Sequence, residues 1–309
     1  MQDPVMQDQF VHGQNVKALL IINPNSRKGA ETDIDTGIKL LESSGFSIIQ
    51  TESTSAKNTA ELIEQHQKDI DVVIIGGGDG SINSAAEALY VHKLTLAILP
   101  LGTANDLARS LELPTNLTDA FKVIAENKRC KMDLGVANGR YFFNVANMGL
   151  GVGVSRELTP EVKKKWGVLS YLKAVLAAFK NNKTFRADIT VDDKCYRMYS
   201  IQLAVGNGRF YGGGNVIDEK ATIDDGMLNL YSLQPQSFWE LLRQAPLLRS
   251  GKHEQAARSF CAAGKRISID AHPHREVHAD GEPITRTPVV FEIIPKALDV
   301  IRPEIVCAN

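Results

Sequence analysis

The sequence predicts an α/β protein in which a parallel sheet covered by helices is followed by a mostly antiparallel β domain. Short apolar runs alternate with helical patterns in the first part of the chain, whereas β-prone runs dominate the second part. With 309 residues, the chain is long enough for two domains with substantial cores. We expect residues 1–16 to be a disordered tail, residues 17–135 to form the first domain and residues 136–295 the second.

The first domain is predicted from four short apolar runs, each of which precedes a helical pattern or a polar loop. Strands that alternate with helices form parallel sheets whose two faces are both covered. In such sheets, ligands bind at the loops that leave the carboxyl ends of the strands. The predicted strands are Lys17 to Ile22, Phe46 to Ile49, Val72 to Ile75 and Leu96 to Leu99, and the predicted helices contain Ile34 to Leu41, Ala60 to Gln67, Ile82 to Leu89 and Leu117 to Ile124.

The second domain is predicted from β-prone runs. From Phe185 to Asp192, apolar and polar residues alternate, which is typical of a strand with one buried face. Two helical patterns, Val168 to Phe179 and Phe238 to Ala245, interrupt the strands. The further predicted strands are Tyr196 to Val205, Met227 to Leu233, Ile267 to Ala271 and Val289 to Ile294.

Composition excludes several classes of protein. The net charge of −1 gives no basic field for nucleic acid, so we expect no nucleic-acid partner. The four cysteines are scattered without a C-x-x-C pair, which indicates reduced thiols rather than a disulfide framework or a zinc site. No apolar run approaches the roughly 20 residues that a transmembrane helix needs, and the polar N-terminus lacks the apolar core of a signal peptide. We expect a cytoplasmic protein that contacts lipid only peripherally.

The apolar run Val72 to Ile75 leads into the most informative segment of the chain, Gly76 to Ser81, which we call the glycine loop. Four of its six residues are glycine, and the others are Asp79 and Ser81. Glycine permits positive φ and lets the backbone approach a ligand closely, and the helix that follows offers free N–H groups. A plain turn needs only one or two glycines. The glycine loop therefore predicts a phosphate-binding site.

Several segments together resemble one family. The glycine loop resembles the G-G-D-G-T signature that is shared by the diacylglycerol kinase catalytic domain, sphingosine kinases and NAD kinases. Five more segments follow in the order seen in bacterial diacylglycerol-kinase-like lipid kinases, and the resemblance spans about residues 17–303. These segments are Asn23-Pro24-x-Ser26, Pro100-x-Gly102-Thr103-x-Asn105-Asp106-x-Ala108-Arg109, Asn207-Gly208-x-x-x-Gly212-Gly213-Gly214, Asp224-Asp225-Gly226-x-Leu228 and Asp280-Gly281-Glu282.

The resemblance implies an ATP-dependent kinase that acts on a lipid hydroxyl group. It implies a Rossmann-like three-layer nucleotide domain and a C-terminal antiparallel β-sandwich domain that binds the lipid. It also implies that the last strand, Ala297 to Ile301, returns to the first domain, so residues 296–309 are assigned there. We expect the glycine-rich segment Asn207 to Gly214 to line the cleft between the domains.

The resemblance also implies a set of ATP contacts. Within this set, Ser81 stands where threonine is usual and keeps the hydroxyl group, whereas Arg27 stands where glycine is common. Ser84 stands where many relatives carry glutamate. The implied contacts are Asn23, Pro24, Asn25, Ser26, Arg27, Ser53, Gly77, Gly78, Asp79, Gly80, Ser81, Ile82, Asn83 and Thr103.

Phosphoryl transfer needs charge neutralisation, which magnesium supplies through oxygen ligands. Asp79 is the only acid of the glycine loop, so we expect it to hold an ATP-bound magnesium ion. The family implies a second, structural magnesium ion at the Asp225 carboxylate and the backbone carbonyls of Thr222 and Met227, with a water link to Asp133. Without the family, the same segment is a candidate for a hairpin turn.

A lipid hydroxyl group must lose its proton as it attacks, and a carboxylate within reach can accept that proton. The family's D-G-E segment corresponds to Asp280 and Glu282, which project to the same side if the segment is extended. The sequence does not distinguish which of the two is the base. A tight turn with solvated acids is the structural alternative.

These features predict an ATP- and magnesium-dependent lipid kinase that meets its substrate at a membrane surface. Lys163 to Trp166, three lysines beside a tryptophan, are a candidate membrane contact. A NAD kinase shares the glycine loop and is the first alternative; a nucleotide-binding regulator without catalysis is the second. The identity of the lipid and the oligomeric state, a dimer included, stay open.

Overall fold

The computed structural model describes residues 15–24, 26, 34–157, 169–181, 183–219 and 221–304. Most of the predicted tail and the last five residues lie outside the described residues, and so do Asn25, Arg27 and the segment Lys163 to Trp166. Within the described residues, no helix is both long enough and apolar enough to span a bilayer.

Four parallel strands, β1 (Val16–Ile22), β2 (Phe46–Glu52), β3 (Val72–Gly77) and β4 (Thr95–Pro100), begin the N-terminal sheet in the order β2-β1-β3-β4. Every residue of β3 and β4 is buried, as expected for central strands that helices cover on both faces. β3 runs two residues further than predicted, so the first two glycines of the glycine loop pair with the end of β4.

The helices of the first domain are α1 (Asp35–Ser43), α2 (Ala56–His66), α3 (Asp79–Asn83), α4 (Ala86–His92), α5 (Asp106–Ser110) and α6 (Leu117–Glu126). Side chains cap two of them: Ser55 accepts a hydrogen bond from the Asn58 N–H at α2, and Asn116 accepts one from the Asp119 N–H at α6. The single helix predicted after the glycine loop is divided into two short helices, α3 and α4, by a turn at residues 84–85.

The last strand, β18 (Val289–Ile301), runs through both domains. Its C-terminal end pairs in parallel with β4, whereas its N-terminal end pairs antiparallel with β15 (Arg266–His272). β5 (Arg129–Ala137) pairs with both parts of β18, and the register shifts between Ile294 and Leu298. One sheet therefore continues from the first domain into the second.

The second domain adds the strands β6 (Arg140–Phe142), β7 (Val145–Gly149), β8 (Phe185–Val191), β9 (Lys194–Ser200), β10 (Gln202–Gly206), β11 (Phe210–Tyr211), β12 (Asn215–Val216), β13 (Leu228–Leu233), β14 (Ser259–Gly264), β16 (Glu276–Ala279) and β17 (Glu282–Arg286). Its described helices are α7 (Leu150–Glu157), α8 (Leu169–Asn181), α9 (Phe238–Arg249) and a 3₁₀ turn at His253–Gln255.

These strands form two facing sheets and a hairpin. The first sheet has the order β2-β1-β3-β4-β18-β15-β8-β9, with β5 paired to β18 and β6 to β5. The second has the order β14-β13-β10-β7-β16-β17, and β11 pairs with β12. The run Tyr196 to Val205, which the alternation pattern predicts as one strand, is divided between β9 and β10. The chain passes from one sheet to the other at Ile201, whose N–H donates to the carbonyl of Leu233.

Apolar side chains from both sheets pack between them. Phe185 and Ile269 from the first sheet meet Leu203 from the second, and the rings of Phe142 and Phe291 pack edge to face with centroids 6.3 Å apart. The predicted fold class is confirmed: a parallel α/β sheet in the N-terminal half and an antiparallel sheet domain in the C-terminal half.

Candidate active site

The loops that leave β1, β3 and β4 contact one another at the carboxyl edge of the parallel sheet. The N–H of Asn23 donates to the carbonyl of Gly76 at 2.8 Å, and its Nδ2 donates to Ser81 Oγ at 3.1 Å. The N–H of Leu101 donates to the carbonyl of Gly77 at 3.1 Å. Three segments far apart in the sequence therefore form one continuous surface.

Close approach of backbones is what requires glycine at this surface. A Cβ added to Gly102 would lie 2.4 Å from the Cα of Gly78, and one added to Gly77 would lie 2.8 Å from the Cβ of Ser81. None of the described glycines from 76 to 80 has φ in the left-handed region, so the positive φ that glycine permits is not used in the glycine loop. Gly80 differs from the others because a Cβ there would meet no atom within 4 Å, so it faces open space.

Polar groups surround this open space. The Oδ1 of Asp79 accepts a hydrogen bond from the N–H of Leu107 at 3.1 Å, which ties the glycine loop to α5. Asn105 donates from Nδ2 to the carbonyl of Gly102 at 3.1 Å and thereby shapes the neighbouring loop. The Oδ1 atoms of Asn83 and Asn105 are buried and have no hydrogen-bond partner among the described residues. Two acceptors are thus left for a ligand or water to satisfy.

The other predicted ATP contacts differ in their accessibility. Pro24 and Ser26 are partly exposed beside the glycine loop, and Ser26 Oγ donates to the carbonyl of Asn23 at 2.8 Å. Thr103 is exposed at the tip of its loop. The side chains of Ser53 and Ile82, in contrast, are buried, and the hydroxyl of Ser53 donates to the backbone carbonyl two residues later at 3.0 Å. We expect Ser53 and Ile82 to stabilise the loops by packing beneath them rather than to contact ATP.

Asp106 on α5 joins the two domains across the cleft. Its carboxylate accepts hydrogen bonds from the N–H groups of Gly213 at 2.9 Å and Gly214 at 2.8 Å, in the turn between β11 and β12. Burial raises the pKa of the Asp106 carboxyl, and the nearby carboxylate of Asp79 adds to the rise. The buried side chain therefore holds the glycine-rich turn of the second domain against the first.

Asp280 lies in the same cleft. Its carboxylate accepts three backbone hydrogen bonds, from Phe143 at 2.8 Å, Asn144 at 3.0 Å and Val145 at 3.1 Å. Burial raises the pKa of this carboxyl to about 6; the three N–H donors oppose the rise, and the charge of Asp79 adds to it. The glycine loop and the D-G-E segment, about 200 residues apart in the sequence, are therefore close enough for their charges to interact.

The D-G-E segment forms a turn. Asp280 and Gly281 have φ of 48° and 94° and connect β16 to β17, as in hairpins with two positive-φ residues. The segment is not extended, so the two acids do not project to one side as an extended strand would make them. Glu282 begins β17, where it pairs with Ala279 and its side chain is exposed. The structure thus distinguishes Asp280, whose carboxylate is fixed by three backbone hydrogen bonds, from an exposed Glu282.

A second group of acids lies where β5, β18 and the turn before β13 meet. Asp225 accepts hydrogen bonds from the N–H groups of Thr222 at 3.1 Å and Met227 at 2.8 Å. Burial raises the pKa of the Asp225 carboxyl, and the carboxylates of Asp133 and Asp224 add to the rise. No group of three or more His, Cys, Asp or Glu side chains within the described residues has the geometry to hold a metal ion. A cation here would need backbone carbonyl ligands as well.

Asp133 fixes this turn to the first domain. Its two carboxylate oxygens accept hydrogen bonds from the N–H groups of Gly226 and Lys296, each at 2.6 Å. Asn207, which is fully buried, donates from Nδ2 to the carbonyls of Asp133 at 3.1 Å and Phe143 at 2.8 Å. These bonds link the acids around residue 225 to the backbone segment that holds Asp280.

Sequence reasoning assigned no role to Asp106, Asn105 or the backbone of residues 143–145. Asp106 and Asn105 stand in a segment that the resemblance includes, and an asparagine followed by an acid in the loop after a predicted strand is a signal that can be found in the sequence. The three N–H donors around Phe143 carry no such signal, because any residue type supplies a backbone N–H.

Two family models match the chain. The diacylglycerol kinase catalytic domain matches residues 17–137, and the YegS C-terminal NAD kinase beta sandwich-like domain matches residues 145–302. The two matches correspond to the parallel-sheet domain and to the antiparallel domain, and together they include both groups of acids.

Similar proteins are found in several bacteria. A protein named "Probable lipid kinase YegS-like" from Klebsiella pneumoniae strain 342 is 31% identical over 288 residues, which are 91% of this chain and 94% of that protein. A protein of the same name from Pseudomonas aeruginosa strain UCBPP-PA14 is 32% identical over 234 residues, 75% of this chain and 76% of that protein.

A solved structure shares the whole fold. The crystal structure of a protein from Bacillus anthracis strain Sterne that is assigned as a diacylglycerol kinase has a TM-score of 0.78 and 28% identity, over 94% of this chain and 98% of that one. The family models match in the order of the two domains, and the relatives match over nearly the whole length; the chain belongs to the diacylglycerol-kinase-like family of YegS-like lipid kinases.

Proposed function

We propose that this chain transfers the γ-phosphate of ATP to a hydroxyl group of diacylglycerol or a related lipid and that it requires magnesium. The observation that carries this proposal is the position of Asp280, whose carboxylate accepts three backbone hydrogen bonds at 2.8–3.1 Å, near the glycine loop. Burial raises the pKa of Asp280, and the charge of Asp79 adds to the rise. A phosphate-binding loop next to a proton acceptor is the arrangement that transfer to an alcohol needs.

The loops after β3 and β4 fit a nucleoside triphosphate. Gly80 faces open space, and the tight contact of Gly78 with Gly102 brings the two loops together beside it. The unpartnered amide oxygens of Asn83 and Asn105 are available to polar groups of a ligand. These features support phosphate binding at Gly78 to Ser81 with nearby sites for the sugar or base.

The acids fit two magnesium ions. Asp79 would hold one beside the phosphates; Asp225 would hold the other with the backbone carbonyls of Thr222 and Met227. Burial raises the pKa of the Asp225 carboxyl, and the carboxylates of Asp133 and Asp224 add to the rise; a cation at the second position would offset both effects. When bound, magnesium neutralises the charge that develops on the transferring phosphoryl group and its leaving oxygen.

Asp280 is our candidate for the base. The oxygen of the lipid hydroxyl forms a bond to the γ-phosphorus, the bond from phosphorus to the oxygen of ADP breaks, and the hydroxyl proton passes to the Asp280 carboxylate. With a pKa of about 6, this carboxyl is ionised at neutral pH and is a stronger base than an ordinary aspartate. Its three backbone hydrogen bonds hold it in place through the reaction.

Two alternatives remain distinguishable by experiment. A NAD kinase shares the glycine loop, but the matches of this chain to lipid kinases extend through the second domain, which supports a lipid acceptor. A nucleotide-binding regulator without catalysis has no need for a fixed base, so the three hydrogen bonds that orient Asp280 argue for an enzyme.

The test is a transfer assay with γ-labelled ATP, magnesium and the purified chain. Diacylglycerol, phosphatidylglycerol, a ceramide and undecaprenol are offered in detergent micelles, and NAD is offered in a parallel reaction. We expect label in a lipid product and none in NAD, and we expect the Asp280→Asn variant to bind ATP but to transfer little label. Label in NAD and in no lipid would refute the proposal, and ATP binding without transfer would support the regulator.

A further inference from the structure

One face of α9 presents apolar and cationic side chains to solvent. Trp239 is 74% exposed and Leu242 is 42% exposed. They are three residues apart and lie on the same side of the helix as Arg243 and Arg249, because residues separated by three, four and seven positions share one face. We call these four residues the α9 face.

The α9 face is held rigidly. On the opposite side of the helix, Leu241 is buried in an apolar cluster with residues from β7, β10 and β13. The ring of Phe238 packs edge to face on Phe179 of α8, with centroids 5.7 Å apart. The exposed Trp239 thus belongs to a helix whose opposite side is packed against the second domain.

Single exposed apolar residues are common on soluble proteins and need no explanation. The α9 face differs because its tryptophan and leucine are adjacent and two arginines flank them. Tryptophan and arginine next to leucine are the side chains that enter the interface of a bilayer, the ring among the headgroups and the cations at anionic phosphates. The one acid of this part of the helix, Glu240, points elsewhere, since it accepts a hydrogen bond from the N–H of Ser237 at 2.7 Å.

The α9 face is connected to the cleft by a short path. Ser250, directly after α9, forms a parallel bridge to Val216 of β12. β12 pairs with β11, and the turn between these strands donates the two hydrogen bonds from Gly213 and Gly214 to Asp106. A surface bound through α9 would therefore lie beside the hairpin that closes one side of the cleft.

We propose that the α9 face docks the protein on a bilayer that contains anionic phospholipids. The proposal rests on the proposed function, because a lipid substrate is what brings the chain to a bilayer. Charge complementarity identifies the bilayer: each arginine near an anionic surface strengthens binding roughly fivefold, whereas a neutral surface gives no such gain. Trp239 and Leu242 supply the apolar part of the contact.

The test is flotation of the purified full chain with phosphatidylcholine vesicles, with and without phosphatidylglycerol. We expect binding to the anionic vesicles that weakens as salt is added. The double variants Trp239→Ser/Leu242→Ser and Arg243→Gln/Arg249→Gln should each bind at least about tenfold more weakly. The matched control, Arg197→Gln/Tyr199→Ser, changes an exposed arginine and a 63% exposed tyrosine on β9 and should bind like the unmodified chain.

Transfer assays with a short-chain, water-soluble diacylglycerol separate this proposal from the proposed function. Both α9 variants should phosphorylate that substrate at the rate of the unmodified chain. If the unmodified chain binds vesicles but phosphorylates no lipid, and the α9 variants lose vesicle binding, the docking proposal is supported and the proposed function is refuted.

Three results would overturn the docking proposal. The first is the absence of binding to anionic vesicles by the unmodified chain, and the second is unchanged binding by both α9 variants. The third is a self-associated chain that becomes monomeric in the α9 variants while its vesicle binding stays the same, which would assign the α9 face to a second copy of the chain.

Discussion

The carboxylate of Asp106 and the backbone N–H of Gly214 form a hydrogen bond of 2.8 Å that crosses the cleft between the two domains. The same carboxylate accepts a second bond from the N–H of Gly213. Because α5 also donates an N–H to Asp79, this single short helix connects the glycine loop to the second domain. Asp106 therefore couples the phosphate-binding loops to the glycine-rich turn of the second domain.

Replacing Asp106 with alanine should impair both stability and transfer. The change removes two partly exposed hydrogen bonds, from the N–H groups of Gly213 and Gly214, at a cost of about 1 kcal/mol for each. A cleft that is no longer held together should lose on the order of 100-fold in kcat, because the reacting groups are displaced. Thermal unfolding and the transfer assay measure the two effects.

Asp106→Asn and Asp119→Asn are the matched controls for that prediction. The Asp106→Asn side chain keeps one oxygen acceptor, so its losses should be intermediate. Asp119 on α6 is exposed and binds only neighbours on its own helix, so its replacement should leave kcat unchanged. Full activity in Asp106→Ala would show that the hydrogen bonds across the cleft are not needed for catalysis.

Two glycines of the phosphate-binding loops should respond differently to alanine. Gly102→Ala places a Cβ 2.4 Å from the Cα of Gly78, so it should destabilise the fold by about 1–3 kcal/mol. Gly80→Ala meets no atom and lies in α3, so it should stabilise the fold by about 0.5–1 kcal/mol.

ATP binding shows whether an alanine at these positions clashes with bound phosphate or only changes the stability of the fold. If phosphate occupies the open space at Gly80, Gly80→Ala should weaken ATP binding by roughly tenfold, or about 1.4 kcal/mol, in a chain that is at least as stable as before. Titration with ATP and thermal unfolding together test this. Unchanged ATP affinity in Gly80→Ala would exclude this loop as the phosphate site.

The fold class was predictable because apolar periodicity reports which faces are buried. The four strands of the parallel sheet end within two residues of their predicted limits, apart from β2, which runs three residues further. The division between β9 and β10 was not predictable from that pattern. Both parts of the run are β-prone, and the change of sheet at Ile201 depends on pairing with Leu233, which is remote in the sequence.

The same contrast applies to the candidate site. The glycine loop and the D-G-E segment have local patterns, so their residues could be identified in advance. The reason for glycine at position 102 could not, because it lies in contact with Gly78 from a different strand. Nor could the pKa of Asp280, which burial raises and the backbone donors at Phe143 to Val145 lower.

The pH dependence of transfer should report Asp280. Its pKa of about 6 means that the carboxyl is protonated below pH 6 and cannot accept the hydroxyl proton, whereas above pH 6 it is ionised and able to do so. We expect kcat/KM to fall tenfold per pH unit below pH 6 and to level off above pH 7. A profile measured with saturating magnesium checks this.

Substitution of the two acids identifies the base. Asp280→Asn should lower kcat by about 100- to 10,000-fold and should remove the acid limb of the profile. Glu282→Gln, the matched control one residue beyond the turn, should retain both the rate and the limb. The reverse outcome would assign the base to Glu282, and unfolding curves would show whether Asp280→Asn also disturbs the turn through its contact with the Phe143 N–H.

Magnesium should stabilise the folded chain through Asp225. Ligand binding to the native state raises the free energy of unfolding by about 2.7 kcal/mol when magnesium is a hundredfold above its Kd. Asp225→Asn should remove this stabilisation and raise the magnesium concentration needed for transfer, because the second metal position loses its only carboxylate ligand. Asp224→Asn is the matched control: that side chain forms an ion pair with Arg302 at 3.5 Å and is not a proposed ligand. Thermal unfolding with magnesium and after its removal by a chelator measures the effect, and equal stabilisation of Asp225→Asn and the unmodified chain would exclude a metal ion at this turn.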